Sequence, residues 1–419
     1  MGIERALAAV DADRIAERVE ALAGIGRDPG GGLTRLALSP EEQQARELVM
    51  SWLKPLGYEF DQDDAGNLHC RVGDAPRVLV GSHLDTVPRG GAYDGALGVI
   101  AAVEVAEALH QAEIELPLHL VAWTGEEGVR FGTGLFGSAA ACGLLPQGSW
   151  GRRDPAGRSV LEAAAELLGR PVRPEGAALD RGRLRAYLEL HIEQSSELER
   201  RGSPVGIVET IVGLYHGRVR IDGRADHAGA TAMRDRKDAL AAAAECVLAV
   251  EEVSRAADGG AIDTVGEIEV QPGAQNVVPG VTTFSLDVRS VSPERRAGAL
   301  AAILDRVERI CGRRGLAWQL EGLGDATPVP MSESVAGALA AACERLGIEA
   351  PRLPSMAGHD AQNLAAFGVP TGMLFVRSTN GSHNPDEHAD AGDAALGAQA
   401  LLLACAELAG RPTGPTASP

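Results

Sequence analysis

A strand–helix–strand signature constrains this chain more than any other feature. The runs PRVLVGS (76–82) and LPLHLVAWT (116–124) are short, apolar and bounded by turn residues, as buried strands are. Between them LGVIAAVEVAEALHQA carries apolar residues at helical spacing. Two strands joined through a helix pair in parallel, and a parallel sheet needs both faces covered. LRAYLELHI (184–192) and SPVGIVETIVG (203–213) read as further strands, separated by the polar helical segment EQSSELERRG. The expectation is an α/β sheet with helices on both faces.

Near residue 214 the texture changes. HGRVRIDGRAD alternates as a half-exposed strand, RKDALAAAAECVLAVEEVSRAA is a long Ala-rich helix, and AIDTVGEIEVQPG and VTTFSLDVRSV are strands with a turn between. PERRAGALAAILDRVERICGRRG then reads as a helix and LAWQLEGL as a last strand. This βαββαβ order is that of a ferredoxin-like sandwich. It interrupts the larger unit, because SESVAGALAAACERLG, TGMLFV and DAALGAQALLLACAELAG resume the α/β texture after 327. The expected domains are 1–213 with 327–410, an insert at 214–326, and a flexible tail at 411–419.

Charge and composition narrow the partners. Lys and Arg number 39 against 58 Asp and Glu, a formal net charge of −19, and a field of that sign repels phosphate backbones and anionic lipid. With 4 Trp, 4 Tyr and 6 Phe, the chain is also poorly supplied with stacking platforms for single-stranded nucleic acid. No window reaches the about 18 consecutive apolar residues of a membrane span. The N-terminal MGIERALAAVDADRIAERVEAL interleaves charges with apolar residues instead of presenting a secretory apolar core. Six scattered cysteines with no CxxC pair fit reduced thiols. A cytoplasmic protein without nucleic-acid or membrane partners is expected.

Chemistry concentrates where the strands end. His83 lies in GSHLDTVP directly after RVLV, and Asp85, two residues on, projects to the same side, placed to accept the ring's other N–H. Asp94 stands in GGAYDGALG ahead of a helix, Glu126 and Glu127 in WTGEEGVRFG after LHLVAW, His191 at the end of YLELH, and His383 in NGSHNPDEHAD after MLFV. Open α/β sheets bind ligands at such carboxyl ends. One His or Asp of this kind is more often structural than a ligand, but five on one sheet reverse that preference. Three imidazoles and two carboxylates suit zinc, manganese, cobalt or nickel, and one bridging carboxylate with two ligands on either side makes a dinuclear site. Consecutive Glu126 and Glu127 point in different directions, so one can bind metal while the other takes a proton from water. Such a set can hydrolyse an amide.

The segments GSHLDTVPRGGAYDGALGVIAAVEV, WTGEEGVRFG, HIEQ, ADHAGATAM, GAQNVVPGVTTFSLDVRS, MAGHDAQNLA and GSHNPDEHAD occur in the order seen in the M20 metallopeptidase clan. The set most resembles its hydantoinase/carbamoylase branch of N-carbamoyl-L-amino-acid hydrolases, allantoate amidohydrolases and β-ureidopropionases. The resemblance, over roughly residues 40 to 395, implies a phosphorylase/hydrolase-like catalytic α/β/α domain interrupted by a ferredoxin-like lid that forms a homodimer. It implies two divalent ions per subunit, His83, Asp94 and His191 holding one and Asp94, Glu127 and His383 the other, with Glu126 as base. His227 would stabilise the oxyanion in the partner subunit, Asn276 and Arg289 would hold a substrate carboxylate, and Gln194 its polar end. His359 would line the pocket or cap the helix that begins there.

Three positions depart from the pattern: Ser195 where the branch usually has Gly, Ala232 where Pro is common, and Arg377 where Pro is frequent. The first and second lie near the pocket, and Arg377 would add a charge to bind an extra acidic group. The reaction implied is hydrolysis of an N-carbamoyl or ureido acid with release of ammonia and carbon dioxide. The rivals are a peptidase or deacylase of the same clan and, from another class, a non-catalytic binding protein on the same fold.

Overall fold

A computed structural model describes residues 2–410; the tail expected at 411–419 lies outside the described residues. The described residues divide into two compact units, one of residues 2–209 and 330–410, the other Thr210–Val329.

The first unit is built on a nine-stranded sheet. Its order is Glu59–Gln62, Leu68–Val72, Leu118–Trp123, Arg77–His83, Leu184–Ile192, Thr371–Val376, Val205–Ile211 and Val329–Pro330, with Arg352–Ser355 also pairing Val205–Ile211. Arg77–His83 is parallel to both Leu118–Trp123 and Leu184–Ile192, and Thr371–Val376 is parallel to Leu184–Ile192. These four form the parallel centre and point their carboxyl ends the same way. Val205–Ile211 runs antiparallel to Thr371–Val376, and the hairpin of Glu59–Gln62 with Leu68–Val72 closes the other side antiparallel.

Helix Ala96–Gln111 is apolar on nearly every side and buried along most of its length, as a helix covering a central sheet face must be. Helix Ala391–Leu408 starts on Asp390, whose side chain accepts the N–H of Gly392 and Asp393. It is long and apolar enough to cross a membrane by composition, but Leu401, Leu402 and Leu403 are buried in the main core.

The inserted unit has a sheet ordered Ile268–Gln271, Val281–Ser290, Gly213–Asp222 and Ala317–Ala326, with Ile262–Thr264 also on Val281–Ser290. All its pairs are antiparallel. Strand Val281–Ser290 alternates buried and half-buried residues along its length. Phe284, Leu286 and Val288 share a core with Cys246 and Val250 of helix Ala239–Ala256 and Ile303 and Val307 of helix Pro293–Arg314. This is the ferredoxin-like arrangement. A separate ribbon pairs Asp226–His227 with Val277–Val278, setting His227 opposite Val277.

Candidate metal centre

The four parallel strands deliver the site. His83 closes Arg77–His83, His191 is the penultimate residue of Leu184–Ile192, Glu126 and Glu127 follow Leu118–Trp123, and His383 follows Thr371–Val376. Asp94 lies in the turn before helix Ala96–Gln111, and the turn depends on Gly95. Gly95 has φ +64°, and a Cβ there would fall 2.4 Å from the His83 ring, so only glycine supplies both the left-handed backbone and the space.

Asp94 stands between two sets of donors. Its Oδ1 is 3.1 Å from His191 Nε2 and 3.8 Å from His83 Nε2, while its Oδ2 is 3.3 Å from His383 Nε2. Glu127 Oε2 lies 3.4 Å from the same His383 nitrogen. One ligand atom each from His83, Asp94 and His191 falls within 4.8 Å of the others, and so do those of Asp94, Glu127 and His383.

Backbone contacts aim the two buried imidazoles. His83 Nδ1 is 3.1 Å from the Asp85 carbonyl oxygen and His191 Nδ1 is 2.9 Å from that of Ile192. A carbonyl oxygen only accepts, so each Nδ1 carries a hydrogen and each Nε2 faces the site. The two Nε2 atoms are 3.5 Å apart.

The cluster calls for positive charge. Burial alone would lower the His83 pKa, yet Glu126, Asp85 and Asp94 hold it well above its ordinary value. Burial lifts the Glu127 carboxyl to about 7, with Asp94 pushing the same way. Glu127 Oε1 is buried without a hydrogen-bond partner, an acceptor that a cation would satisfy. Imidazole nitrogens and carboxylate oxygens converging in two groups on one shared carboxylate fit a pair of divalent ions.

Asp85 acts differently from the sequence expectation. Its carboxylate Oδ1 stands 3.6 Å from His83 Nδ1, and its main-chain oxygen takes the ring N–H instead. The carboxylate accepts the backbone N–H of Glu126 through Oδ1 at 3.1 Å and of Glu127 through Oδ2 at 3.2 Å. Asp85 therefore ties the His83 loop to the loop that carries both glutamates. Glu126 Oε2 lies 3.8 Å from His83 Nε2. Burial raises the Glu126 pKa well above the ordinary range, against the pull of His83.

Gln194, with φ +61°, donates from Nε2 to Asp94 Oδ2 at 3.0 Å and keeps a buried Oε1 without a partner. Ser195 donates to Glu193 Oε1 at 2.5 Å, and that oxygen also accepts the N–H of Glu197 at 3.0 Å, closing the turn into helix Glu197–Arg201. His359 is buried with its ring edge-on to His191, centroids 4.5 Å apart, and its Nε2 2.8 Å from Ser355 Oγ. It makes no side-chain cap to helix Asp360–Ala366, which corrects the capping alternative. The Arg377 guanidinium pairs with Asp393 at 2.7 Å, in the first turn of helix Ala391–Leu408.

In the inserted unit, the N–H groups of Gly229 and Ala230 donate to His227 Nδ1 at 3.0 and 3.1 Å. That nitrogen is therefore the acceptor, and Nε2 carries the hydrogen. The carbonyl of Asn276 accepts the N–H of Ala228 beside it at 3.0 Å. Arg289 donates from Nε and Nη2 to the two oxygens of Asp287 at 2.8 and 2.7 Å.

Sequence reasoning missed two buried acids around the centre. Glu189 accepts from Ser82 Oγ at 2.8 Å, from Tyr187 Oη at 3.2 Å and from the N–H of Ala361 at 2.9 Å. The signal was present: in a strand, Glu189 and His191 share a face. Glu387 carries no such signal, because it lies in a loop.

Residues 79–407 match peptidase family M20/M25/M40. The chain is 42% identical to an N-carbamoyl-L-amino acid amidohydrolase of Geobacillus stearothermophilus, over 96% of this chain and 99% of that protein. It is 35% identical to the allantoate amidohydrolase of Escherichia coli K12, over 94% and 97%. A crystal structure of a hydantoinase/carbamoylase family amidase from Burkholderia multivorans superposes with a TM-score of 0.85 at 33% identity, covering 97% of this chain and 99% of that one.

Proposed function

Because the chain belongs to peptidase family M20/M25/M40 and resembles N-carbamoyl-L-amino-acid and allantoate amidohydrolases over almost its whole length, we propose that it is a metal-dependent amidohydrolase. It cleaves the C–N bond of an N-carbamoyl or ureido acid and releases ammonia and carbon dioxide. The observation that carries this reading is Asp94, whose two carboxylate oxygens face separate donor sets beside a glutamate that belongs to neither set.

His83, Asp94 and His191 would hold one divalent ion, and Asp94, Glu127 and His383 a second. When bound, the ions polarise the carbonyl under attack and make water a better nucleophile. Glu126 takes the proton from the attacking water and passes it to the departing nitrogen. His227 presents its Nε2–H to the developing oxyanion of the partner subunit. Asn276 and Arg289 hold the substrate carboxylate, with Asp287 fixing the Arg289 fork, and Gln194 and His359 shape the polar end of the pocket.

A homodimer through the inserted lid is supported by its edge. Ile262 and Ile268 are 47% and 48% exposed on short strands at the margin of the sheet, and Leu248 on the adjoining helix is 59% exposed. An apolar strand edge of that kind is a template for pairing with a second copy. Six cysteines, all buried and unpaired, support a reducing compartment such as the cytoplasm.

The reading is tested by loading the protein with manganese or zinc, offering N-carbamoyl-L-amino acids, allantoate and 3-ureidopropionate, and assaying ammonia. Release of a free acid without ammonia from N-acyl amino acids would favour the deacylase instead. Glu127→Ala is expected to lose about one ion per subunit, since a ligating carboxylate is removed from one position only. Elemental analysis that still finds two tightly held ions in this variant would remove Glu127 from the ligand set.

A further inference from the structure

Asp94 bridges the centre from a loop, and a loop that must place two carboxylate oxygens within a few tenths of an ångström needs an anchor. The anchor comes from the segment that carries His383. Glu387 is buried, and its Oε1 accepts the backbone N–H of both Tyr93 and Asp94 at 3.0 Å each. Its Oε2 accepts from Ser382 Oγ at 2.6 Å, and the same hydroxyl oxygen lies 2.8 Å from Asp94 Oδ2. The approach is so close that a Cβ on Gly91 would fall 2.4 Å from Glu387 Oε1. Glu387 thus grips the Asp94 loop directly at its main chain, and it takes the one hydrogen of Ser382, whose oxygen sits against the Asp94 carboxylate.

We propose that Glu387 is a positioning residue for the metal pair: by clamping the Asp94 loop to the His383 loop it fixes the distance between the two ligand sets. This inference rests on the metal reading of the site given above. It is a statement about hydrogen-bond geometry, not about the charge of the carboxylate, and two substitutions separate those possibilities.

Glu387→Gln removes the charge but keeps the reach. Its amide oxygen can accept both backbone N–H groups, and its amide nitrogen can donate to Ser382, whose own hydrogen then turns to Asp94 Oδ2. Glu387→Asp keeps the charge but falls one methylene short of the two N–H groups. Partners that orient metal ligands typically contribute about 10- to 100-fold in metal affinity. Zinc affinity, measured in competition with a chromogenic chelator, is therefore expected to fall by about 10- to 100-fold in Glu387→Asp and to stay within about 3-fold of wild type in Glu387→Gln.

The opposite order, with Gln weakened and Asp unaffected, would show that charge alone matters and would overturn the proposal. Wild-type affinity in both variants would overturn it too. Both outcomes leave the metal reading standing, whereas failure of the unaltered protein to take up any zinc would overturn that reading and this inference with it. Should Glu387→Asp fail to fold, Glu387→Gln alone remains decisive, since a loss beyond about 10-fold in that variant contradicts a clamp it preserves.

Discussion

Glu126→Gln is expected to keep its metal content and lose turnover by about 100- to 10,000-fold, the usual effect of removing a general base. The asymmetry follows from where the side chain stands. Glu126 Oε2 approaches His83 Nε2 at 3.8 Å, but neither of the two groups of atoms that converge closely enough to hold ions includes it: one is His83, Asp94 and His191, the other Asp94, Glu127 and His383. Its backbone is held independently, because the Glu126 N–H reaches Asp85 whatever the side chain carries. Glutamine has nearly the same shape as glutamate, so the pocket and the Asp85 tie should survive. What disappears is the carboxylate oxygen that accepts the proton. Metal content at the wild-type level together with activity above a tenth of wild type would assign the base elsewhere.

The parts of this arrangement that could be read from the sequence are those with a periodic or terminal signature. Arg77–His83, Leu118–Trp123 and Thr371–Val376 are uninterrupted apolar runs, and a titratable residue placed straight after such a run is conspicuous. The hairpin of Glu59–Gln62 and Leu68–Val72 gave no such signal: its first strand is half exposed and EFDQ resembles any polar loop. Asp85 shows a subtler failure. Its spacing from His83 suggested a contact between side chains, but the chain turns after His83 so that the Asp85 carbonyl meets the ring and the carboxylate reaches the next loop. Glu387 was illegible for a related reason. Its role depends on two loops that are distant in sequence, Gly91–Asp94 and Ser382–Glu387, being brought together by the parallel sheet, and no local pattern encodes that meeting.

The other large effect should come from the inserted unit. His227→Ala is expected to lower activity by about 100- to 1,000-fold, the range for removing one oxyanion donor. The structure gives His227 the tautomer this task needs, because two backbone N–H groups occupy Nδ1 and leave the hydrogen on Nε2. If the donor serves the partner subunit, the loss can be repaired without restoring the residue. Combining His227→Ala in one subunit with Glu126→Gln in the other leaves one active site with both lesions and the other with neither. Up to about half the wild-type activity should then return per mixed dimer, provided the two sites act independently. If His227 instead acts within its own chain, each site of the mixed dimer keeps one lesion and nothing returns. Mixed dimers isolated through two different affinity tags decide between these, and activity no greater than the mean of the two parent mutants rules out donation across the interface.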